Sequence, residues 1–301
     1  MERLELKTFS MPVSCISSVN IPCALCGGSV FKPFLNCSDF YFVKCINCAL
    51  VQRNPQPLQQ EITARYAKIY GNEYLLYELE NEESFLKLQQ LALKDAGFFR
   101  LEKRLFPGVS ANTASQEAIR PCVLDIGCAT GSLLASLHER KWRVTGVEIS
   151  PCADYAKKVR NLDVRSEKLE DNNFPDKSFD VVLASHLIEH LNDPKTFLAE
   201  IHRILKDEGY CFITTPNISG FQARLFKNRW RSAIFDHLYL FSAVTLKKLL
   251  RNTGFKIESI HTWGGLAAGS APKWLKKSAD FLVKYFGCGD VMIVRAKKSF
   301  C

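Results

Sequence analysis

Two hydrophobic rhythms run along the chain. From Cys122 onward, short apolar runs at roughly 122–126, 143–147, 162–166, 179–184 and 209–214 are separated by stretches with apolar residues at helical spacing, near 131–140, 151–160 and 194–205. Strands divided in this way by helices predict βαβ units, and therefore an α/β fold with a parallel sheet. Asp193-Pro194 opens the third helix: an Asp side chain accepts from the first unpaired amides, and Pro at the next position has no amide to satisfy. Gly254 closes a later helix, 242–253, and strands near 255–261 and 290–297 flank a helical segment at 272–286. Asp290 to Arg295 suits a last strand, inserted antiparallel.

Upstream, residues 59–106 read as helical, with Phe85, Leu88, Leu91 and Ala92 on one stripe that would cover the sheet edge. Tyr66, Tyr70, Tyr74 and Tyr77 form an aromatic cluster that either lies over a bound ligand or packs. The polar stretch 107–121 reads as a linker, and Asn54-Pro55-Gln56-Pro57 as a break. The organisation is thus 1–57, a small N-terminal unit; 58–120, a helical cover and linker; and 121–301, the α/β core. There is no internal repeat.

The first core strand ends in chemistry. Val123-Leu-Asp-Ile-Gly-Cys-Ala-Thr-Gly131 is an apolar run that terminates at Asp125 and opens into a Gly turn ahead of a helix. A dinucleotide fingerprint needs G-x-G-x-x-G, but Ala129 stands at the middle glycine, so a pyrophosphate is not the expected ligand. Glu148, at the end of the second strand, can accept from both hydroxyls of a ribose. The alternative is a βα turn with no ligand.

The N-terminal unit carries Cys23-x-x-Cys26 and Cys45-x-x-Cys48, with 18 residues between the pairs, a spacing that suits a structural zinc ribbon. Two short strands, 29–35 and 40–44, would bring the pairs together, and Cys37 reads as a spectator. A redox C-x-x-C would need a thioredoxin-like βαβ, which this segment lacks, and unpaired buried thiols are the remaining alternative. Twelve cysteines in 301 residues with no signal-peptide core at the N-terminus argue for a reduced compartment and a soluble, cytoplasmic protein. The hydrophobic content of 47% and charged content of 24% are ordinary globular values.

The net charge of +9 is unevenly placed. Residues 221–301 hold 15 Lys and Arg against 4 Asp and Glu, so the positive charge belongs to the last quarter. There, 221–231 and 272–286 interleave cations with Trp, Phe and Leu. Trp274, Leu275, Leu282 and Phe286 would insert shallowly into a membrane surface while Lys273, Lys276, Lys277 and Lys284 meet anionic headgroups; otherwise the apolar residues pack on the sheet and the lysines are solvated.

Phe174-Pro-Asp-Lys-Ser-Phe-Asp180-Val-Val-Leu-Ala-Ser-His-Leu-Ile-Glu-His190-Leu-Asn-Asp-Pro194 resembles the fourth-strand region of the class I S-adenosylmethionine methyltransferases. The resemblance implies a Rossmann-like core, a mainly parallel seven-stranded sheet with an antiparallel last strand. It also implies that Asp125, Gly127, Cys128 and Gly131 cradle the cofactor's methionine and ribose, that Glu148 and Ile149 hold the ribose, that Lys168, Leu169 and Glu170 contact adenine, and that Ser185 closes the site. Lys168 stands where the family usually has Asp, which makes the adenine contacts a departure. The Cys-rich start, the N-P-x-P turn, the Tyr-rich segment and His237-Leu-Tyr-Leu-Phe-Ser242 together are similar to bacterial methyltransferases of surface-glycan and sugar modification.

A hydroxyl or carbon acceptor benefits from a general base, and His is the side chain best suited to that near neutral pH. His186, at the C-terminal end of the fourth strand, is the first candidate and His237 the second; each is alternatively a structural hydrogen-bonding residue. Glu189 and His190 would organise the following loop. The leading reading is a methyltransferase of a small molecule or saccharide. An RNA methyltransferase is opposed by the N-terminal unit, whose only cations between Cys23 and Cys48 are Lys32 and Lys44. A non-catalytic scaffold is opposed by the intact set Asp125, Gly127, Gly131 and Glu148.

Overall fold

The computed structural model describes residues 17–58, 60–62, 72–106, 120–265 and 273–299. Tyr66, Tyr70 and most of the expected linker lie outside these residues. The described residues open with β1 (Ser18–Val19), β2 (Phe31–Cys37), β3 (Phe40–Cys45), β4 (Val51–Arg53) and β5 (Gln56–Pro57). Helices α1 (Asn72–Asp95) and α2 (Phe98–Leu105) follow. The core then runs β6 (Cys122–Ile126), α3 (Ser132–Glu139), β7 (Arg143–Val147), α4 (Cys152–Lys158), β8 (Val164–Arg165), β9 (Phe179–Ser185), α5 (Pro194–Ile204) and β10 (Leu205–Pro216). It ends with α6 (Phe221–Phe226), β11 (Tyr239–Leu240), α7 (Ala243–Asn252), β12 (Phe255–Trp263), α8 (Lys273–Tyr285) and β13 (Val291–Lys298).

Seven strands form one sheet in the order β12-β13-β10-β9-β6-β7-β8. The pairs β10/β9, β9/β6, β6/β7 and β7/β8 are parallel, and β13 inserts antiparallel between β10 and β12. Val123, Leu124, Val181, Val182 and Ile213 are completely buried. Strands covered on both faces need such continuous apolar runs, which is why these segments read clearly as a parallel sheet. Asp193 caps α5 as expected, accepting from the amides of Lys195 and Thr196 at 3.0 Å.

The helical cover lies on a sheet face, not on its edge. Ala92, Leu93, Ala96, Phe98 and Leu101 share a cluster with Val123, Val181, Phe212 and Ile293, and the Phe98 ring stacks on Trp142 at 5.3 Å. The expected stripe holds only in part: Ala92 is buried, Leu88 and Leu91 are about half exposed, and Leu93 and Ala96 are buried in their place.

The N-terminal strands are sewn into the core. β11 pairs antiparallel with β4, extending the β2–β3–β4 meander to four strands, and Arg53 donates from its backbone to Leu238 O at 2.8 Å. Cys23, Leu25, Cys45 and Leu50 share one buried cluster with Leu238, Tyr239 and Phe241.

Among the described residues no helix is long and apolar enough to cross a membrane. In the basic last quarter, α8 buries Val283 and exposes Phe281, Leu282, Tyr285 and Phe286, so Leu282 and Phe286 do not pack on the sheet. Lys284 pairs with Asp95 of α1 at 2.6 Å. The side chains of Lys273, Trp274, Leu275, Lys276 and Lys277 lie outside the described set.

Candidate active site

Three left-handed residues shape the turn after β6: Gly127 (φ 75°), Ala129 (φ 47°) and Gly131 (φ 78°). Side chains rarely tolerate that backbone, and a Cβ on Gly131 would also meet Leu162 at 2.7 Å. Gly127 and Cys128 both donate to Val147 O, which ties the turn to the end of β7. The Glu148 carboxylate then pins the loop from beneath: Oε2 accepts from Ala129 N at 3.0 Å and Oε1 from Ser150 N at 2.7 Å. Each oxygen keeps a second acceptor position, so a buried Glu148 can still receive ribose hydroxyls.

Around this turn carboxylates crowd. Burial pushes the Asp125 carboxyl up to about 7, and the Glu148 charge adds to the rise. Burial also raises Glu78, against a hydrogen bond from Tyr74, with Glu148 and Glu82 adding to it. Glu82 accepts from Thr130 Oγ1 at 2.6 Å and pairs with Arg160 at 2.5 Å, so α1 is fastened over the cofactor turn. The sequence reading named Tyr74 in its aromatic cluster but missed Glu78 and Glu82, although the i, i+4, i+8 spacing of the three puts a polar stripe on one helix face. Such a cleft favours a cationic ligand.

The expected adenine contacts separate. Leu169 is buried in the core, Glu170 points to solvent and Lys168 precedes the 3₁₀ turn Leu169–Asn172. Ile149 is 44% exposed beside Glu148 and offers apolar surface instead.

The His186 loop starts at the C-terminal edge of β9 and β10, where Ser185 pairs with Thr214. His186 follows in a left-handed conformation (φ 52°), its amide held by Thr214 O at 2.9 Å. A non-glycine residue stays there only when its surroundings enforce it, which is common at functional sites. Leu187 lies 3.7 Å from where a Cβ on Gly127 would be, so the His186 loop abuts the cofactor turn.

His186 Nδ1 is 3.4 Å from Glu189 Oε1, an ion-pair distance without hydrogen-bond alignment. The His186 side chain is 49% exposed and that of Glu189 1%. Burial would raise the Glu189 carboxyl, but His186, His190 and His237 around it bring it down to about 2. His237 is buried, its Nδ1 2.8 Å from Ser232 O, and burial together with His190 lowers it to about 3. A ring so enclosed and so weakly basic is a poor proton acceptor. Of the two base candidates, His237 is enclosed and His186 is the open one.

A family model described as a methyltransferase domain matches residues 77–260, more than half of the chain. The chain belongs to this methyltransferase family. It is similar to the "probable S-adenosylmethionine-dependent methyltransferase" of Mycolicibacterium smegmatis, 29% identical over 140 residues that cover 45% of this chain and 52% of the relative. It is also similar to the ubiquinone biosynthesis O-methyltransferase of Rickettsia bellii, 27% identical over 181 residues, 54% of this chain and 72% of that one. The chain thus spans about half the length of the first relative and about seven tenths of the second. In fold it resembles a crystal structure of an S-adenosylmethionine-dependent methyltransferase from Thermotoga maritima, with a TM-score of 0.54 and 24% identity over 80% of this chain and all of that one. S-adenosylmethionine is the cofactor of this methyltransferase family, and the chain is an enzyme of that kind.

Glu148→Ala is expected to weaken S-adenosylhomocysteine binding to the methyltransferase by roughly 1 to 3 kcal/mol, since ribose hydroxyls lose buried acceptors. Calorimetry reads this directly, and an unchanged affinity would remove Glu148 from the ribose role.

The four cysteines form a second group of side chains, with Cys23 and Cys45 in the same buried cluster as Ile126 and Ile188. Cys23 Sγ lies 3.3 Å from Cys48 Sγ and Cys26 Sγ 3.6 Å from Cys45 Sγ, and all four sulfurs are within 4.8 Å of one another. A zinc tetrahedron with Zn–S bonds of about 2.3 Å has sulfurs about 3.8 Å apart, so the donor set fits that ion. The ten described cysteines are all free thiols. Burial pushes Cys23 and Cys48 up; it acts on Cys45 too, but the amides of Cys48 and Asn47 more than reverse it and bring that thiol down to about 7.

Proposed function

We propose that this methyltransferase methylates a hydroxyl of a small molecule, with His186 as general base and Glu189 as the residue that positions it. The carrying observation is the placement of His186: half exposed, next to a buried carboxylate, on a loop packed against the cofactor turn. The carboxylate-crowded cleft suits the positive charges of S-adenosylmethionine, whose sulfonium, once bound, supplies an electrophilic methyl group. Asp125, Gly127, Cys128, Gly131, Glu148 and Ile149 would hold it. The chain's remaining task is to align the acceptor, keep water out and take up a proton. Leu187 shields the turn while His186 receives the acceptor's proton, with the Glu189 carboxylate 3.4 Å from its Nδ1.

The similarity to a protein named an O-methyltransferase supports an oxygen acceptor. Within that class, the resemblance of the chain's motifs favours saccharides. A structural zinc ion on Cys23, Cys26, Cys45 and Cys48 and a peripheral contact between the exposed face of α8 and an anionic surface complete the proposal.

A methyl-labelled cofactor incubated with panels of saccharides, phenols, amines and RNA tests the acceptor. Label on a small-molecule hydroxyl is expected. Label confined to RNA or to amines would overturn the reading.

A further inference from the structure

A groove of about 290 Å³ lies between the second half of α1, the start of α2 and α3. Its floor is apolar: Leu93, Leu133 and Leu137 line it and are buried, and the half-exposed Leu91 joins them. Its rim is cationic. Lys87 and Lys94 line it from exposed positions two turns apart on α1, and Arg140 lines it from the end of α3. Glu102 fixes the Arg140 guanidinium, accepting from Nε at 2.8 Å, and the same group lies 4.8 Å from the centre of the Phe99 ring. Among the described residues no Asp or Glu lines the groove.

This composition selects a ligand. Buried leucines favour an aliphatic chain, and the surrounding cations favour an anionic end group over a neutral or positive one. The groove also joins two elements that meet at the cofactor turn. Gln90 Nε2 donates to Ser136 Oγ at 3.0 Å, a bond from α1 to α3 within the lining. α3 starts directly after Gly131, the last residue of the turn, and Glu82, two turns before Gln90 on α1, accepts from Thr130 Oγ1. A ligand that touches both helices favours the arrangement in which α1 rests on the turn. Its binding is then linked reciprocally to that of the cofactor.

We propose that this groove binds a medium-chain fatty acid, with the chain on Leu93, Leu133 and Leu137 and the carboxylate among Lys87, Lys94 and Arg140, and that its occupancy tightens cofactor binding. The fatty acid is not consumed. It shifts the population of the arrangement in which α1 and α3 are held together over the turn.

Calorimetry of the full chain with decanoate, kept below its micelle concentration in low-salt buffer, tests this. One saturable site per chain is expected, and decyltrimethylammonium should bind far more weakly. Lys87→Glu combined with Lys94→Glu should weaken decanoate binding by about tenfold or more, since both exposed positions then repel the carboxylate. Leu91→Glu, at a half-exposed position, should do the same without removing a cation. Circular dichroism and S-adenosylhomocysteine binding check the fold of each variant. Phe281→Ala with Tyr285→Ala, on the exposed face of α8, should leave decanoate binding unchanged, and its loss there would place the anion on α8 and overturn the site. Absence of saturable binding, equal binding of the cationic amphiphile, or wild-type affinity in the folded double lysine variant also overturns it. Saturating decanoate should tighten S-adenosylhomocysteine binding several-fold in the wild type and have no effect in the double lysine variant. An unchanged affinity in the decanoate-saturated wild type overturns the coupling.

Discussion

His186→Ala should lower turnover about 10²- to 10⁴-fold and leave cofactor affinity nearly unchanged. The size follows from the role: a hydroxyl is a weak nucleophile until its proton leaves, and a positioned imidazole removes it within the same step. The selectivity follows from position, because the cofactor turn is anchored by Glu148 and Val147 while His186 reaches it only through the neighbouring Leu187. Steady-state kinetics with calorimetry on the same preparation separates the two effects. Full activity would point to an amine acceptor, or to catalysis by alignment alone. His237→Ala should act differently, through loss of packing around a buried ring, with lower stability as its main sign.

What the sequence made legible follows from how each feature is encoded. β6 and the middle of β9 are buried on both faces and show as apolar runs, whereas β7 carries Arg143 and Thr145 and is buried only at its end; all three appear within a residue or so of their expected bounds. The cofactor turn is equally local: Asp125, Gly127, Gly131 and Glu148 lie on two consecutive strands and come together through one short crossover. The C-x-x-C pairs are visible for the same reason. β4 and β11, by contrast, have three and two residues, too few to show a period, and their pairing joins positions almost 190 residues apart. Glu82 reaches Thr130 across 48 residues, and Glu189 meets His237 only because β11 returns the chain to the sheet edge, where Leu238 N donates to Glu189 O at 2.7 Å. Sequence pattern reports which face of an element is buried. It does not report which polar groups converge from different elements, and His186, Glu189 and His237 are such groups.

The pairing of β4 with β11 also sets what zinc removal should do. Structural zinc in small cysteine sites contributes on the order of 10 to 16 kcal/mol of apparent binding free energy, which is folding energy for a segment too short to bury its own core. Here the segment is not isolated. Leu25 and Leu50, which flank the cysteines, are buried in the cluster that holds Leu238, Tyr239 and Phe241. If the cysteine turns open, two leucines leave that core at about 2 kcal/mol each, so the α/β core loses about 4 kcal/mol. At about 2 to 4 °C per kcal/mol for a domain of this size, chelation or Cys45→Ser should lower Tm by roughly 10 °C. The same opening would loosen β11, and with it the loop that carries His237 and supports Glu189, so turnover should fall even though none of the four clustered cysteines belongs to the cofactor turn. Metal analysis of purified protein alongside thermal denaturation with and without chelator decides the matter. Less than about half an equivalent of zinc, or an unchanged Tm in a metal-free Cys45→Ser variant, would show that the N-terminal strands stand on their own packing.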